Sequence, residues 1–180
     1  MSQLANQGAD TIRSGDVVDL ILADHREFER LFRLLRNRDE DRAARLGELA
    51  DLLVAHALAE ESEVYPHLKV QAPAETDEIK HGVEEHGEGH QALAQLQAVA
   101  DVDSQEWEDA LEELVEGVSH HIDEEEREVL NAAREAVAER TRLELGEGFM
   151  RARLGWLQNN PGDPEHVRQL VADYEDRGAL

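Results

Sequence analysis

The stretch VAHALAEESEVYPHL (54–68) returns in outline as SHHIDEEEREVLNAA (119–133). With His56 set over His121, Glu60 falls over Glu125, Glu61 over Glu126 and Glu63 over Glu128. Both copies lie in segments of helical periodicity, and in both the histidine and the glutamate four residues on share the stripe that carries the apolar residues. Positions i and i+4 occupy one helix face, with Cβ atoms about 5–6 Å apart. A chain that puts imidazole and carboxylate on its core-facing stripe must pair them there or place a cation between them. An uncompensated buried charge costs several kcal/mol.

The flanking sequence supplies helices to carry these stripes. GDVVDLILADHREFERLFRLLRN places Ile21, His25, Phe28, Phe32 and Leu35 at alternating steps of four and three. Asn37 to Asp39 reads as a break and the next cap. A second helix runs through EDRAARLGELADLLVAHALAEESEVYPHLKV with Leu49, Leu52, Leu53, His56 and Glu60 inward, and Pro66 is expected to kink it or end it early. QAPAETDE is a turn with Thr76 as N-cap. The third helix covers about 77–100 and carries His86, His90 and Leu93. Ser104 caps a fourth, whose stripe is Leu111, Leu114, Val118, His121, Glu125 and Val129.

Four long helices with short connections pack most economically as an all-α, up-down-up-down four-helix bundle. The expected division is residues 1–146 as the bundle domain and 147–180 as a helical C-terminal extension. Glycines at 146, 148 and 155 and the turn NNPGDP mark the change of character. One or two short helices there place Phe149, Leu154, Trp156 and Leu157 either on the bundle or against a second subunit. In the second case the extension would be the contact of a homo-oligomer.

Composition narrows the partners. The chain has 18 basic and 42 acidic residues, a formal charge of −24, which argues against nucleic acid and anionic membranes. It has no cysteine, so thiolate metal sites, thiol catalysis and disulfides are excluded and any metal is held by nitrogen and oxygen. The first residues hold no apolar core of signal-peptide length, and no run approaches the roughly 18 apolar residues of a membrane span. A cytoplasmic location is the expectation.

A single histidine on an apolar stripe is more often a satisfied core residue than a ligand. Here His25, His56, His86 or His90, and His121 each lie on such a stripe, and two have a glutamate one turn on. The halves correspond as two hairpins, His25 with His86 and His56 with His121, related by an approximate two-fold. His90 is the extra member, opposite Glu29. Such a pair of hairpins can hold two metals bridged by Glu60 and Glu125. His120 is about 100° round the helix from His121, and His81 points away. His166 lies in the tail, and His67 follows Pro66. Glu61 and Glu126 are expected to pair with arginines or to support ligands from outside.

The order His…His-x-x-x-Glu…His-x-x-x-His…His-x-x-x-Glu over about residues 16–140 resembles the hemerythrin-like, or HHE cation-binding, domain. The EEH of EEHGEGH and the internal symmetry both select His86. Glu125 stands four residues after the last histidine, as in the HHE branch, where the oxygen-carrying hemerythrins have an aspartate at five. The resemblance implies a four-helix bundle around two iron ions, a non-haem diiron centre with an oxo or hydroxo bridge. His25 and His56 would bind one iron, and His86, His90 and His121 the other, with Glu60 and Glu125 bridging. Mixed imidazole and carboxylate ligation suits iron, zinc, copper or manganese, and open octahedral positions suit iron. Ferritin-like centres use Glu-x-x-His and more carboxylate, which argues against iron storage.

Two functions of different class follow from the resemblance. One is a reversible carrier or sensor of dioxygen or nitric oxide. The other is a redox enzyme acting on hydrogen peroxide or nitric oxide, with a place in oxidative stress. A carrier needs a sealed apolar pocket, whereas an enzyme needs access and a proton donor. Phe28 and Phe32 are the aromatics placed to seal a pocket, while Gly87 and Gly89 open space for small molecules. Helix count turns Tyr65 about 180° from His56, which leaves it a weak candidate for the proton donor. These features tip the expectation toward peroxide or diatomic-gas redox chemistry.

Overall fold

In the computed structural model, which describes residues 15–180, an aspartate opens the first helix. Asp16 accepts from the Val18 amide at 3.0 Å, and α1 runs Val17–Leu35 with Ile21, His25, Phe28, Phe32 and Leu35 all buried. The next cap is Asp41, two residues beyond the expected break, and it accepts from the Ala44 amide. Helix α2 (Arg42–Ala59) passes into a π-helical turn, Glu60–Val64, and on into α3 (Tyr65–Gln71).

Pro66 therefore does not end the second helix. It occupies the first turn of α3, where a missing N–H costs least. The π turn ahead of it sends the Tyr65 amide back to the Glu60 carbonyl, and Ser62 Oγ donates to the Leu58 carbonyl at 2.8 Å, a contact that bends helices. One extra residue in a turn rotates everything after it by about 100°. Tyr65, turned away in a regular helix, thereby faces the core and is buried.

Helix α4 (Thr76–Ala98) begins at Thr76 itself, one residue before the expected start, after a short 3₁₀ turn. Helix α5 (Gln105–Arg127) is capped by Ser104, which accepts from the Trp107 amide, and α6 (Val129–Ala136) continues it after a break at Glu128. Contacts pair α1 with α2, α4 with α5, and the two hairpins with each other, which is the expected four-helix bundle. Buried Arg42 ties its end, donating to the Leu35 and Val102 carbonyls and lying over the Trp107 ring. No helix of the described residues is long and apolar enough to cross a membrane.

Two apolar clusters fill the bundle. One gathers Phe28, Leu35, Leu49, Leu93, Trp107 and Leu111, the other Ile21, Val64, Leu68, Ile79, Val129 and Phe149. The stripe histidines fall between them on every helix, His25 between Ile21 and Phe28 and His121 between Leu111 and Val129. The polar layer is thus sandwiched by apolar packing above and below.

The C-terminal residues form α7 (Glu139–Leu157) and α8 (Pro164–Asp176). Helix α7 runs unbroken across residues 146 and 147 and packs on α1 and α2, while α8 packs on α4. Phe149 is buried as expected and Leu154 partly so, but Trp156 stays exposed, stacked on His166. Between the helices, Asn160 takes a positive φ and Gly162 lies against α2, where a Cβ would stand 2.4 Å from Ala50 C and Asp51 N. Backbone cannot give way cheaply. Gly162→Ala is expected to lower stability by about 1–3 kcal/mol in urea unfolding. Gly155→Ala, in open space, should leave stability equal or up to about 1 kcal/mol higher; equal loss in both variants would contradict this packing.

Candidate metal centre

Six of the seven residues expected at the site converge between the apolar clusters. Ligand atoms of His25, His56, Glu60 and Glu125 lie within 4.8 Å of one another, as do those of Glu60, His86 and His121. Glu60 belongs to both groups, its Oε1 3.2 Å from His56 Nε2 and its Oε2 3.3 Å from His86 Nε2. Glu125 Oε2 lies 3.3 Å from His25 Nε2 and 3.9 Å from His121 Nε2. The two carboxylates thus stand between the four imidazoles, each within reach of both hairpins.

Every one of these imidazoles turns its Nε2 inward and donates from Nδ1 to a carboxylate outside. His25 donates to Glu126 (2.9 Å), His56 to Asp24 (3.2 Å), His86 to Glu61 (3.1 Å) and His121 to Glu85 (2.9 Å). Metal-ligating histidines are held in this way, because the outer carboxylate fixes tautomer and ring orientation and raises basicity. The pattern also obeys the internal symmetry. Asp24 and Glu85 each precede the first histidine of their half, and Glu61 and Glu126 each follow the bridging glutamate. The outer role expected for Glu61 and Glu126 is met.

His90 is placed differently. It is buried, both ring nitrogens lack a hydrogen-bond partner, and its ring packs 5.4 Å from that of Tyr174. Its atoms fall outside both groups, but it lines a cavity of about 20 Å³ together with His56, His86 and His121. Phe28, Leu53, Val118 and Ile122 form the apolar wall of that cavity, which has room for a water molecule or a diatomic gas. Burial holds His90 neutral, its pKa down at about 3. His67 and His166 take no part; each turns Nδ1 to a nearby backbone carbonyl.

Tyr65 is the residue helix count misses. Its hydroxyl donates to Glu125 Oε1 at 2.9 Å, lies 3.3 Å from Glu60 Oε2, and its ring stacks on His86. Burial first, then the charges of Glu125 and Glu60, push its pKa well above the ordinary phenol value, so it holds its proton. The C-terminal helices also reach the site. Arg153 of α7 grips Asp24 through two hydrogen bonds of 2.7 and 2.9 Å, and Tyr174 of α8 donates to Glu61, with Arg177 stacked on its ring. These contacts steady the outer carboxylates behind His56 and His86.

The donor set fits a metal by its unmet valences. His25 Nε2, His56 Nε2, Glu60 Oε1, Glu125 Oε2 and both nitrogens of His90 are buried without a partner. Native interiors rarely leave such atoms orphaned. Those of His25, His56, Glu60 and Glu125 converge on one point among the inward imidazoles, and nitrogen and oxygen donors of this mixture hold first-row transition metals. This is a metal-binding helical bundle. Residues 16–133 match the model of the hemerythrin HHE cation-binding domain, and the chain belongs to that family. Helices α7 and α8 lie beyond the matched residues. No curated protein and no solved structure matches the chain.

Without metal, protons stand in for it. Burial works against protonated imidazole, yet the adjacent Glu125 carboxylate, the charge of Glu60 and the hydrogen bond to Glu126 raise His25 to about 9, and Glu60 and Glu61 raise His86 to about 10. A group with a raised folded-state pKa contributes its full stability below the unfolded value, about 6.5, and loses it as pH rises through the folded value. Chelator-treated protein should therefore melt at progressively lower temperature between pH 7 and about 10. Metal-loaded protein should change much less over that range. A metal-free melting temperature that stays level or rises there would contradict the network.

Proposed function

We propose that the protein is a non-haem diiron protein that carries out redox chemistry on hydrogen peroxide or a diatomic gas. The observation that carries this reading is Tyr65, a protonated phenol donating to Glu125 and in reach of Glu60 at the heart of the cluster. His25, His56, Glu60 and Glu125 would hold one iron, and Glu60, Glu125, His86 and His121 the other. His90, neutral and unpartnered across the small cavity, completes the set. Bound iron would supply the electrons exchanged with the substrate.

The chain's own groups supply the rest. Reduction of a peroxide to two waters consumes two protons, and Tyr65 is placed to deliver one along the Glu125 carboxylate. General-acid assistance of this kind is worth about 10²–10⁴-fold in rate. The apolar wall of Phe28, Leu53, Val118 and Ile122 admits small uncharged molecules and keeps anions out. Disproportionation of two peroxides to dioxygen and two waters balances without an outside reductant, which makes it the reaction to test first. The same apolar cavity favours a second reading, a reversible carrier or sensor of dioxygen or nitric oxide. No nucleic-acid or membrane partner is part of either reading; a second copy of the chain is.

Iron-loaded protein given hydrogen peroxide should evolve dioxygen at an electrode. Tyr65→Phe should keep the iron and slow turnover by about 10²-fold or more. His56→Ala, with its ligand removed, should lose both iron and activity. A visible band that appears in air and fades on deoxygenation, with no peroxide turnover, would establish the carrier instead.

A further inference from the structure

His81 and His120, the histidines set apart from the core, both face Glu85 and Glu124 on the surface between α4 and α5. His81 Nε2 lies 3.7 Å from Glu85 Oε1 and 3.6 Å from Glu124 Oε2. His120 Nε2 lies 3.8 Å from Glu85 Oε1 and 3.6 Å from Glu124 Oε1. Each histidine stands four residues before one of the glutamates, so the buried His-x-x-x-Glu arrangement recurs on an outer face. Glu84 Oε2 is 3.7 Å from the other ring nitrogen of His81.

The separations carry the argument. All four exceed the reach of a hydrogen bond, so the imidazoles are gathered around the two carboxylates without bonding to them. Ligands about 2.1 Å from a tetrahedral ion stand about 3.4 Å from one another, close to what is seen for His81, Glu85 and Glu124, whose ligand atoms all lie within 4.8 Å of one another, with His120 beside that group. Glu85 is also held in place from below, because its Oε2 accepts from His121 Nδ1 at 2.9 Å while Oε1 faces outward. A cleft lined by Glu78 and Glu128 runs from this cluster down to Tyr65, His121 and Glu125. Gly82 keeps it open, since a Cβ there would stand 3.3 Å from the Tyr65 hydroxyl and 3.6 Å from the His121 ring.

We propose that His81, Glu85, His120 and Glu124 form a second binding site, separate from the buried centre, for a divalent transition-metal ion at the mouth of this cleft. Two imidazoles and two carboxylates suit zinc or ferrous iron. The exposed position lets ions exchange with solvent, and the acidic cleft leads inward from it. Zinc, which has no redox chemistry, is the probe.

Iron-loaded protein and its His81→Ala/His120→Ala double variant are dialysed against zinc, and both metals are counted per chain. The wild type should retain one zinc per chain that the double variant lacks, a loss of at least tenfold, with iron content equal in the two. Equal zinc in both proteins, or none in the wild type, would overturn the site. Failure of the buried-centre reading would show separately, as absence of iron from both proteins, and the zinc difference between them would still report on the surface cluster. Both substitutions lie at exposed positions, so the variant keeps the core that folds the chain.

Discussion

Two glutamates at the centre of a helix bundle set the terms for everything around them. Glu60 and Glu125 are almost wholly buried, and a lone carboxylate there would cost several kcal/mol or give up its charge. Four imidazoles face them. Burial opposes the charge on Glu125, yet the close approach of His25 and the charges of His121 and His56 hold its pKa below the ordinary carboxylate range. Outside the imidazoles stand Asp24, Glu61, Glu85 and Glu126, so charge alternates in layers from the centre to the surface. The apolar clusters above and below exclude water from the innermost layer, which makes each pairing strong and each orphaned atom expensive.

The arrangement is two-fold at its core and asymmetric at its edge. Both hairpins supply the same inner and outer groups at matching positions. The environment of the outer carboxylates differs. Asp24 is clamped by Arg153 from α7 and Glu61 by Tyr174 from α8, whereas Glu126 lies toward solvent and Glu85 is buried beneath the surface histidines. The helices beyond the matched residues therefore act on the hairpin of α1 and α2 through Asp24 and Glu61. Glu85, left free of them, faces His81 and His120. Phe149 adds a ring edge against His56, so the extension also seals one flank of the centre.

Much of this was legible before any coordinates. Periodicity located the four helices, and the histidines and glutamates on their apolar stripes marked the buried cluster, because a polar residue at a core position demands a partner. What escaped depended on local geometry or long-range contact. A single π turn before Pro66 moved Tyr65 from the outer face to the centre, and helix count at a constant 100° per residue has no means of seeing it. Asp24 and Glu85 carried a signal that was there to read, an acidic residue just before the first histidine of each half. Arg153 and Tyr174 carried none, since only the path of the tail brings them near residues more than a hundred positions away. His81 and His120 were correctly set outside the core, but their both facing Glu85 and Glu124 depends on the register of α4 against α5.

In the proposed function the buried cluster would hold two irons between Glu60 and Glu125. Mössbauer spectroscopy of the protein loaded with ⁵⁷Fe and oxidised, with iron counted per chain, tests it most directly. The expected result is two irons per chain in a magnetically coupled pair, silent in ordinary electron paramagnetic resonance. One iron per chain with the magnetic spectrum of an isolated high-spin ferric ion would contradict it.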